Sequence, residues 1–364
     1  MNFKQLLFDT SEKGLIENNL QAVNDFRMSV LRVVTALLGI LMATLAAVSF
    51  EFDYAYSFKR LYVAFFFLDA FLFVIIRFAK RFSQKHPLLL SYSFFVLYSC
   101  FTLMANYSNV EMQVYVSVVA ALFMIPILIL DRTWRVNLLV GIALAASLVL
   151  SCKFKPKAIF RADVINLVMY TFAGIITGKS FRLNRLKGFE AERVLTVERN
   201  TDSLTKLANR RKLFEYLRRG NESLFLRPTG MFMIDIDHFK QYNDHYGHRA
   251  GDICLGIIGK CFAEFGEKHK IKFFRYGGEE FCALCWSKDY LELAACAEEL
   301  LQAVRNLNII FNIDGNSSGV VTISLGYAAF DRNELDYDFE CMIKITDAAL
   351  YSAKSHGRNC SRGA

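Results

Sequence analysis

FFRYGGEEFCAL, residues 273–284, decides how the second half of this chain folds. The apolar runs IKFFRY and EFCALCW flank two glycines and read as the paired strands of a hairpin. Its bend carries Gly277, Gly278, Glu279 and Glu280. Glycines lack a Cβ, which permits positive φ and lets a ligand approach the backbone closely. Upstream, TGMFMIDI is a short apolar run that ends in Asp235, so a carboxylate is expected to emerge beside the hairpin bend. Carboxylates that converge from neighbouring strand ends call for a cation. Oxygen donors without a His or Cys cluster select Mg²⁺ or Mn²⁺ rather than zinc. Together these residues suit a metal-bound nucleoside triphosphate. A Gly-Gly turn with polar flanks is common by itself, and its companions are what point to chemistry here.

Around the hairpin the pattern alternates helix and strand. TDSLTKLANRRKLFEYLRRG reads as a cap, a turn and an amphipathic helix, and HRAGDICLGIIGKCFAEFGEK as a second helix. DYLELAACAEELLQAVRNL is a third helix, VVTISLGYAAF a strand, and MIKITDAALYSAKSHG a last helix closed by a glycine. This order predicts an α/β (α+β) domain, one antiparallel or mixed sheet with helices on a face. Cys282 and Cys285 form a C-x-x-C, but odd spacing in a strand sends the two thiols to opposite faces. The nine cysteines show no zinc or secreted-disulfide spacing.

The chain has 364 residues, and its 54% hydrophobic content averages two unlike parts that change character near residue 180. A bilayer core requires about 20 apolar residues per helix. Candidate spans are residues 33–50, 61–79, 88–105, 112–130, 136–152 and 163–181, which makes a polytopic α-helical membrane domain of six helices. The stretch NNLQAVNDFRMSVLR before the first span is too long and polar for a signal peptide, so no cleavage is expected. Lys and Arg gather in the N-terminal tail, at Arg77, Lys80, Arg81 and Lys85, at Arg132 and Arg135, and after the last span. Cytoplasmic loops carry such an excess, which places the second half in the cytoplasm of an inner-membrane, multi-pass protein. The loop CKFKPKAIFR breaks the pattern; a miscounted span or a basic outer loop facing an anionic ligand would each explain it. The net charge of +8 follows this distribution rather than a nucleic-acid surface, and no nucleic-acid partner is expected. Asp69 falls inside the second span, where an ionisable group is functional or internally paired. Sparse intramembrane charge disfavours transport.

The segments divide as 1–32, an N-terminal cytoplasmic stretch; 33–181, membrane helices; 182–201, a connector; and 202–364, the mixed domain. The connector FRLNRLKGFEAERVLTVERNT places Leu183, Leu186, Val194 and Val197 at helical spacing. It continues the last span as a helix, and either pairs two chains weakly or spaces the domain from lipid.

RYGGEEF, DSLTKLANRR, IDIDHFKQYNDHYGHRAGD, VTISLGYA and DAALYSAKSHGRN, in this order from about residue 200 onward, resemble the GGDEF family of diguanylate cyclases. The resemblance implies a ferredoxin-like, nucleotidyl-cyclase-like core and a homodimer that condenses two GTP into cyclic di-GMP and pyrophosphate with Mg²⁺ or Mn²⁺. By the same resemblance, Asp235, the carbonyl of Ile236 and Glu279 hold metal, and Glu279 and Glu280 are the catalytic carboxylates. Glu280 orienting the turn is the alternative. Asn243 and Asp252 read guanine, because an Asp accepts from the N1–H and exocyclic amine that adenine does not present together. Lys240, Lys354 and Arg358 contact phosphates, and Phe239 and His248 shape the pocket. Lys354 could instead complement a helix C-terminus, while Asp202 and Asn209 read as turn formers and Arg210 and Arg211 as a solvated helix start. A catalytically inactive nucleotide-binding relative is the alternative function, and the signal received by the membrane half is unknown. One departure stands out: family members often carry an R-x-x-D product-inhibition site before the glycines, and here those positions are Lys268 and Ile271.

Overall fold

The computed structural model describes residues 11–51, 59–107, 116–222, 227–286, 288–312, 319–331, 333 and 338–364. Two compact units divide between Val194 and Leu195.

The first unit is helical: α1 Ser11–Asn18, α2 Leu20–Glu51, α3 Lys59–Phe78, α4 Lys80–Lys85, α5 Pro87–Tyr107, α6 Val116–Leu128, α7 Thr133–Phe154 and α8 Lys157–Asn200. Five of these are long and apolar enough to cross a bilayer, within α2, α3, α5, α7 and α8. The expected span 112–130 corresponds to α6, which is shorter, and residues 108–115 lie outside the described residues. The helix that carries the first span, α2, starts at Leu20 rather than residue 33, because the stretch before the apolar run is itself helical. The last span and its connector are one helix of 44 residues.

This unit exposes many apolar side chains and buries several charged and polar groups among its apolar clusters. Leu37, Ile40, Phe67, Phe71, Phe78, Val149 and Met169 are exposed, whereas Glu12, Thr133, Asp163 and Arg182 are fully buried. Buried polar groups must satisfy one another. Glu12 accepts from the Thr133 backbone N–H and hydroxyl, both at 2.7 Å. Arg182 donates to the Pro126 carbonyl at 2.6 Å and the Thr133 hydroxyl at 3.1 Å. In the anomalous basic loop, Lys155 is not a free charge: it pairs with Asp163 at 3.1 Å, and Ser151 donates to the same carboxylate at 2.5 Å. Helix α8 meets α6 through Gly174 and Gly178, one turn apart. A Cβ at Gly178 would lie 2.6 Å from the Pro126 carbonyl oxygen, and one at Gly174 2.8 Å from that of Leu122. Small residues at this spacing let helix backbones approach.

The second unit contains β1 Ala208–Asn209, α9 Arg210–Glu222, β2 Gly230–Ile236, α10 Phe239–Tyr246, α11 His248–His269, β3 Ile271–Gly277, β4 Glu280–Cys285, α12 Tyr290–Arg305, β5 Ile323–Ala329, α13 Phe339–Ser355 and β6 Ser361–Gly363. The sheet order is β1-β3-β4-β2-β5-β6. The outer pairs β1/β3 and β5/β6 are parallel and the inner ones antiparallel. Helices cover both faces, which corrects the expectation of one. Phe232, Ile234 and Phe281 pack with Ile258 and Phe262 of α11 and Leu300 of α12, while Met231, Met233 and Cys282 pack with Leu213 and Leu217 of α9 and Leu350 of α13. The cause lies in β2, which is apolar at both parities and buried throughout, the pattern of a strand sandwiched between layers. Cys282 and Cys285 face different core clusters, as their odd spacing requires. Burial drives both thiols well above their ordinary range, leaving them unreactive.

Candidate active site

The site lies at one end of the central strands. β3 ends at Gly277, Gly278 turns with φ +42°, and β4 starts at Glu280. A bulge between Arg275 and Gly277 shifts the β3/β4 register and re-aims the bend. Glu280 is the cross-strand partner of Asp235. The Glu279 carbonyl accepts from the Ile236 N–H at 3.3 Å. Asp235, the end of Ile236, Glu279 and Glu280 are therefore brought together by β2 and β4. On the other side, Lys354 of α13 places its Nζ 2.8 Å from Asp235 Oδ2. Lys354 thus reaches the carboxylates rather than the end of its own helix.

Electrostatics in this corner are frustrated. Burial pushes the Asp235 carboxyl upward, Lys354 opposes it, and Glu279 and Glu280 add further upward pressure, with a raised value as the net result. Negative groups that raise one another's proton affinity offer a cation a favourable place. Among the described residues no three His, Cys, Asp or Glu side chains form a complete metal cage. Two carboxylates and a backbone carbonyl nevertheless fit Mg²⁺, which normally takes only one or two carboxylates and completes its shell with water and phosphate.

Two linkages that sequence reading missed hold the corner in shape. Arg275 spans the bend: its Nη1 lies 2.9 and 3.0 Å from the two Asp202 oxygens, and its Nε and Nη2 donate to the Gly278 carbonyl at 3.0 and 2.7 Å. Asp202 also accepts from the Thr205 backbone N–H and hydroxyl, both at 2.8 Å, so it is a turn former with a second duty. Burial pushes its carboxyl up, but the Thr205 and Arg275 hydrogen bonds outweigh this and hold it below the usual range. Arg210 is not simply solvated, since its guanidinium lies 4.5 Å from the Tyr276 ring centroid. Asn209 accepts from the Lys212 N–H at 3.2 Å, as a helix-start residue should.

The second linkage is Asp237, buried and three-fold satisfied. It accepts from the Thr322 and Ser324 hydroxyls, each at 2.6 Å, and from the Asn359 N–H at 3.0 Å. Arg358 and Asn359 both have positive φ, 62° and 49°. Asp237 therefore fixes the turn that presents Arg358, and the only sequence signal for it was a second acid in IDID.

Helices α10 and α11 place the remaining candidates beside Gly247, whose φ of +85° makes the corner between them. Asn243 lies directly against Gly251, where any Cβ would collide with its side-chain oxygen. That oxygen is buried and has no hydrogen-bond partner, which leaves an acceptor available to a ligand. Asp252 follows Gly251 in the first turns of α11 and is exposed, as are His248, Lys240 and Arg358. Phe239 is buried and stacks on Tyr242 at 6.1 Å between centroids, so it supports the corner from beneath.

Residues 199–360 match the family model described as "Diguanylate cyclase, GGDEF domain". The second unit therefore carries a domain of the GGDEF family. The chain is 33% identical over 171 residues to "Diguanylate cyclase DosC" of Shigella sonnei, covering 46% of this chain and 36% of that protein. It is 31% identical over 190 residues to "Diguanylate cyclase VdcA" of Vibrio cholerae serotype O1, covering 50% and 52% respectively. The chain thus spans between about a third and a half of the length of these curated relatives. Among solved structures it is similar to the coiled coil and GGDEF domain of DgcB from Caulobacter crescentus in complex with c-di-GMP. That match has 26% identity and a TM-score of 0.44, over 52% of this chain and 97% of that one. It is also similar to the active GGEEF domain of a diguanylate cyclase from Vibrio cholerae, with 28% identity and a TM-score of 0.37, over 43% and 97%.

Proposed function

We propose that this protein is a membrane-anchored diguanylate cyclase that condenses two GTP into cyclic di-GMP with release of pyrophosphate. The observation that carries the reading is the convergence of Asp235 with the Gly-Gly-Glu-Glu bend, within a domain matching the GGDEF family. In each half-reaction the ribose 3′ oxygen of one GTP bonds to the α-phosphorus of the other, and the bond from that phosphorus to the bridging oxygen breaks. Pyrophosphate leaves, and the hydroxyl proton passes to a glutamate of the bend. Asp235, the Ile236 carbonyl and Glu279 would hold Mg²⁺ or Mn²⁺, which when bound neutralises the triphosphate and favours the alkoxide form of the attacking hydroxyl. Lys354, which lies 2.8 Å from Asp235, would contact phosphate together with Lys240 and Arg358. Asn243 and Asp252 select guanine, Phe239 and His248 shape the base pocket, and Glu280 acts beside Glu279 or aims the bend.

Two copies are required, because each presents one GTP to the other. The exposed Val194, Leu195 and Val197 at the end of α8 are apolar contacts that a second chain would cover. The outward-facing apolar side chains of the first unit support a multi-pass membrane domain. The Lys and Arg distribution supports a cytoplasmic cyclase domain on an inner-membrane protein. Product inhibition at the customary position is not expected: Lys268 is engaged with Glu299 at 2.5 Å and Ile271 is a core residue.

The test is turnover of GTP by the purified full chain with Mg²⁺. Cyclic di-GMP is expected from the wild type and is lost in Glu279→Gln. GTP binding with no product in either would establish an inactive nucleotide-binding protein instead.

A further inference from the structure

Gly357, Arg358 and Asn359, which follow α13, have consecutive positive φ angles of 103°, 62° and 49°. Glycine adopts such angles freely, but a side chain in the left-handed region is strained and persists there only where surrounding contacts over-determine it. Asp237 supplies one of those contacts, through the Asn359 N–H. Another comes from Arg305, in the last turn of α12 and 54 positions before Asn359. Its Nε donates to the Asn359 side-chain oxygen and its Nη2 to the Asn359 carbonyl, both at 2.8 Å, while Nη1 reaches Gln302 Oε1 at 3.3 Å. A basic residue in a last helical turn ordinarily complements the helix C-terminus. Here two of the three guanidinium nitrogens are spent on Asn359 instead. The guanidinium is a planar fork of fixed geometry, so a grip on two oxygens of one residue sets both its position and its orientation. On either side of this grip, the Arg358 N–H donates to the Ala353 carbonyl at 3.2 Å and the Cys360 carbonyl accepts from the Leu325 N–H at 3.1 Å. The backbone around Arg358 is therefore held from several directions, while its side chain stays exposed.

We infer that Arg305 is a positioning residue for the phosphate end of the site. It holds Asn359 in the left-handed conformation that presents the Arg358 guanidinium to the triphosphate, and it acts through Arg358 rather than on the nucleotide. The inference rests on the reading of Arg358 as a phosphate contact, and it adds a residue from α12, a helix that carries none of the other candidate site residues.

The experiment is a double-mutant cycle on binding of 3′-deoxy-GTP, which lacks the attacking hydroxyl, to the full chain in detergent micelles with Mg²⁺. Arg305→Ala should weaken binding by about threefold to tenfold, the scale of a lost hydrogen-bonded grip. Arg305→Lys keeps the charge without the fork and should recover only part of that loss. In an Arg358→Ala background neither substitution should weaken binding further, which separates positioning of Arg358 from a general structural role. Arg305 is only partly buried and alanine is a good helix former, so both variants should fold, with melting temperature as the check. No binding of 3′-deoxy-GTP by the wild type, wild-type affinity in Arg305→Ala, full recovery in Arg305→Lys, or the same fold loss with and without Arg358 would each overturn the proposal. Cyclic di-GMP formation from GTP by the wild type reads the cyclase activity separately. Product without coupling would sink the positioning role alone, and coupling without product would sink only the cyclase reading.

Discussion

At the scale of single residues, the acids of the site were legible because each stands where an apolar run stops. Asp235 closes β2, and Glu279 and Glu280 fill the bend between β3 and β4. Their partners were not legible, since Arg275 and Asp202 are 73 positions apart and nothing local marks an ion pair across that separation. This pair has a measurable signature. The Asp202 carboxyl is held below its unfolded value, near 3.9, so its stabilising contribution is present above that pH and is lost as pH falls through the folded value. The wild-type domain should therefore lose melting temperature on acidification below about pH 4. Asp202→Asn should melt lower at neutral pH and respond less to acid, which thermal denaturation across pH will check. The replaced inhibitory site gives a second expectation: Lys268→Ala should leave product inhibition of GTP turnover unchanged, because its ammonium serves Glu299.

At the scale of elements, periodicity located four of the five helices and all four long strands found among the described residues of the second unit. It missed α10, whose FKQYNDHY has only eight residues and two buried side chains, and the short edge strands β1 and β6. Helices on both faces were signalled by the alternation-free run MFMI, which needs cover above and below. In the first unit, hydropathy located the helices but not how they pack. The contact of α8 with α6 depends on Gly174 and Gly178, a four-residue spacing in GIITG that could have been read as a close-packing signal. Gly178→Leu should force these backbones apart. A cost of about 1–3 kcal/mol is expected from overpacking, seen as a lower melting temperature of the full chain in detergent. Gly188→Ala, on the same helix with open space around its Cβ, should not lower it.

At the scale of the whole molecule, composition separated an apolar half from a mixed one, and the apolar exterior of the first unit gives that separation its physical reason. Exposed Phe67, Phe71 and Phe78 suit hydrocarbon, while Arg182 and Glu12 are satisfied within the bundle. The chain is expected to stay with the membrane fraction through an alkaline carbonate wash and to leave it only with detergent. The central claim is that the Asp235 and Glu279 corner performs metal-dependent synthesis. The most direct measurement is cyclic di-GMP formed from GTP by the purified full chain, with and without Mg²⁺, beside Glu279→Gln. Product is expected that requires the metal and falls by about a hundredfold or more in the variant. Metal-independent synthesis, or a Glu279→Gln enzyme as active as the wild type, would contradict it.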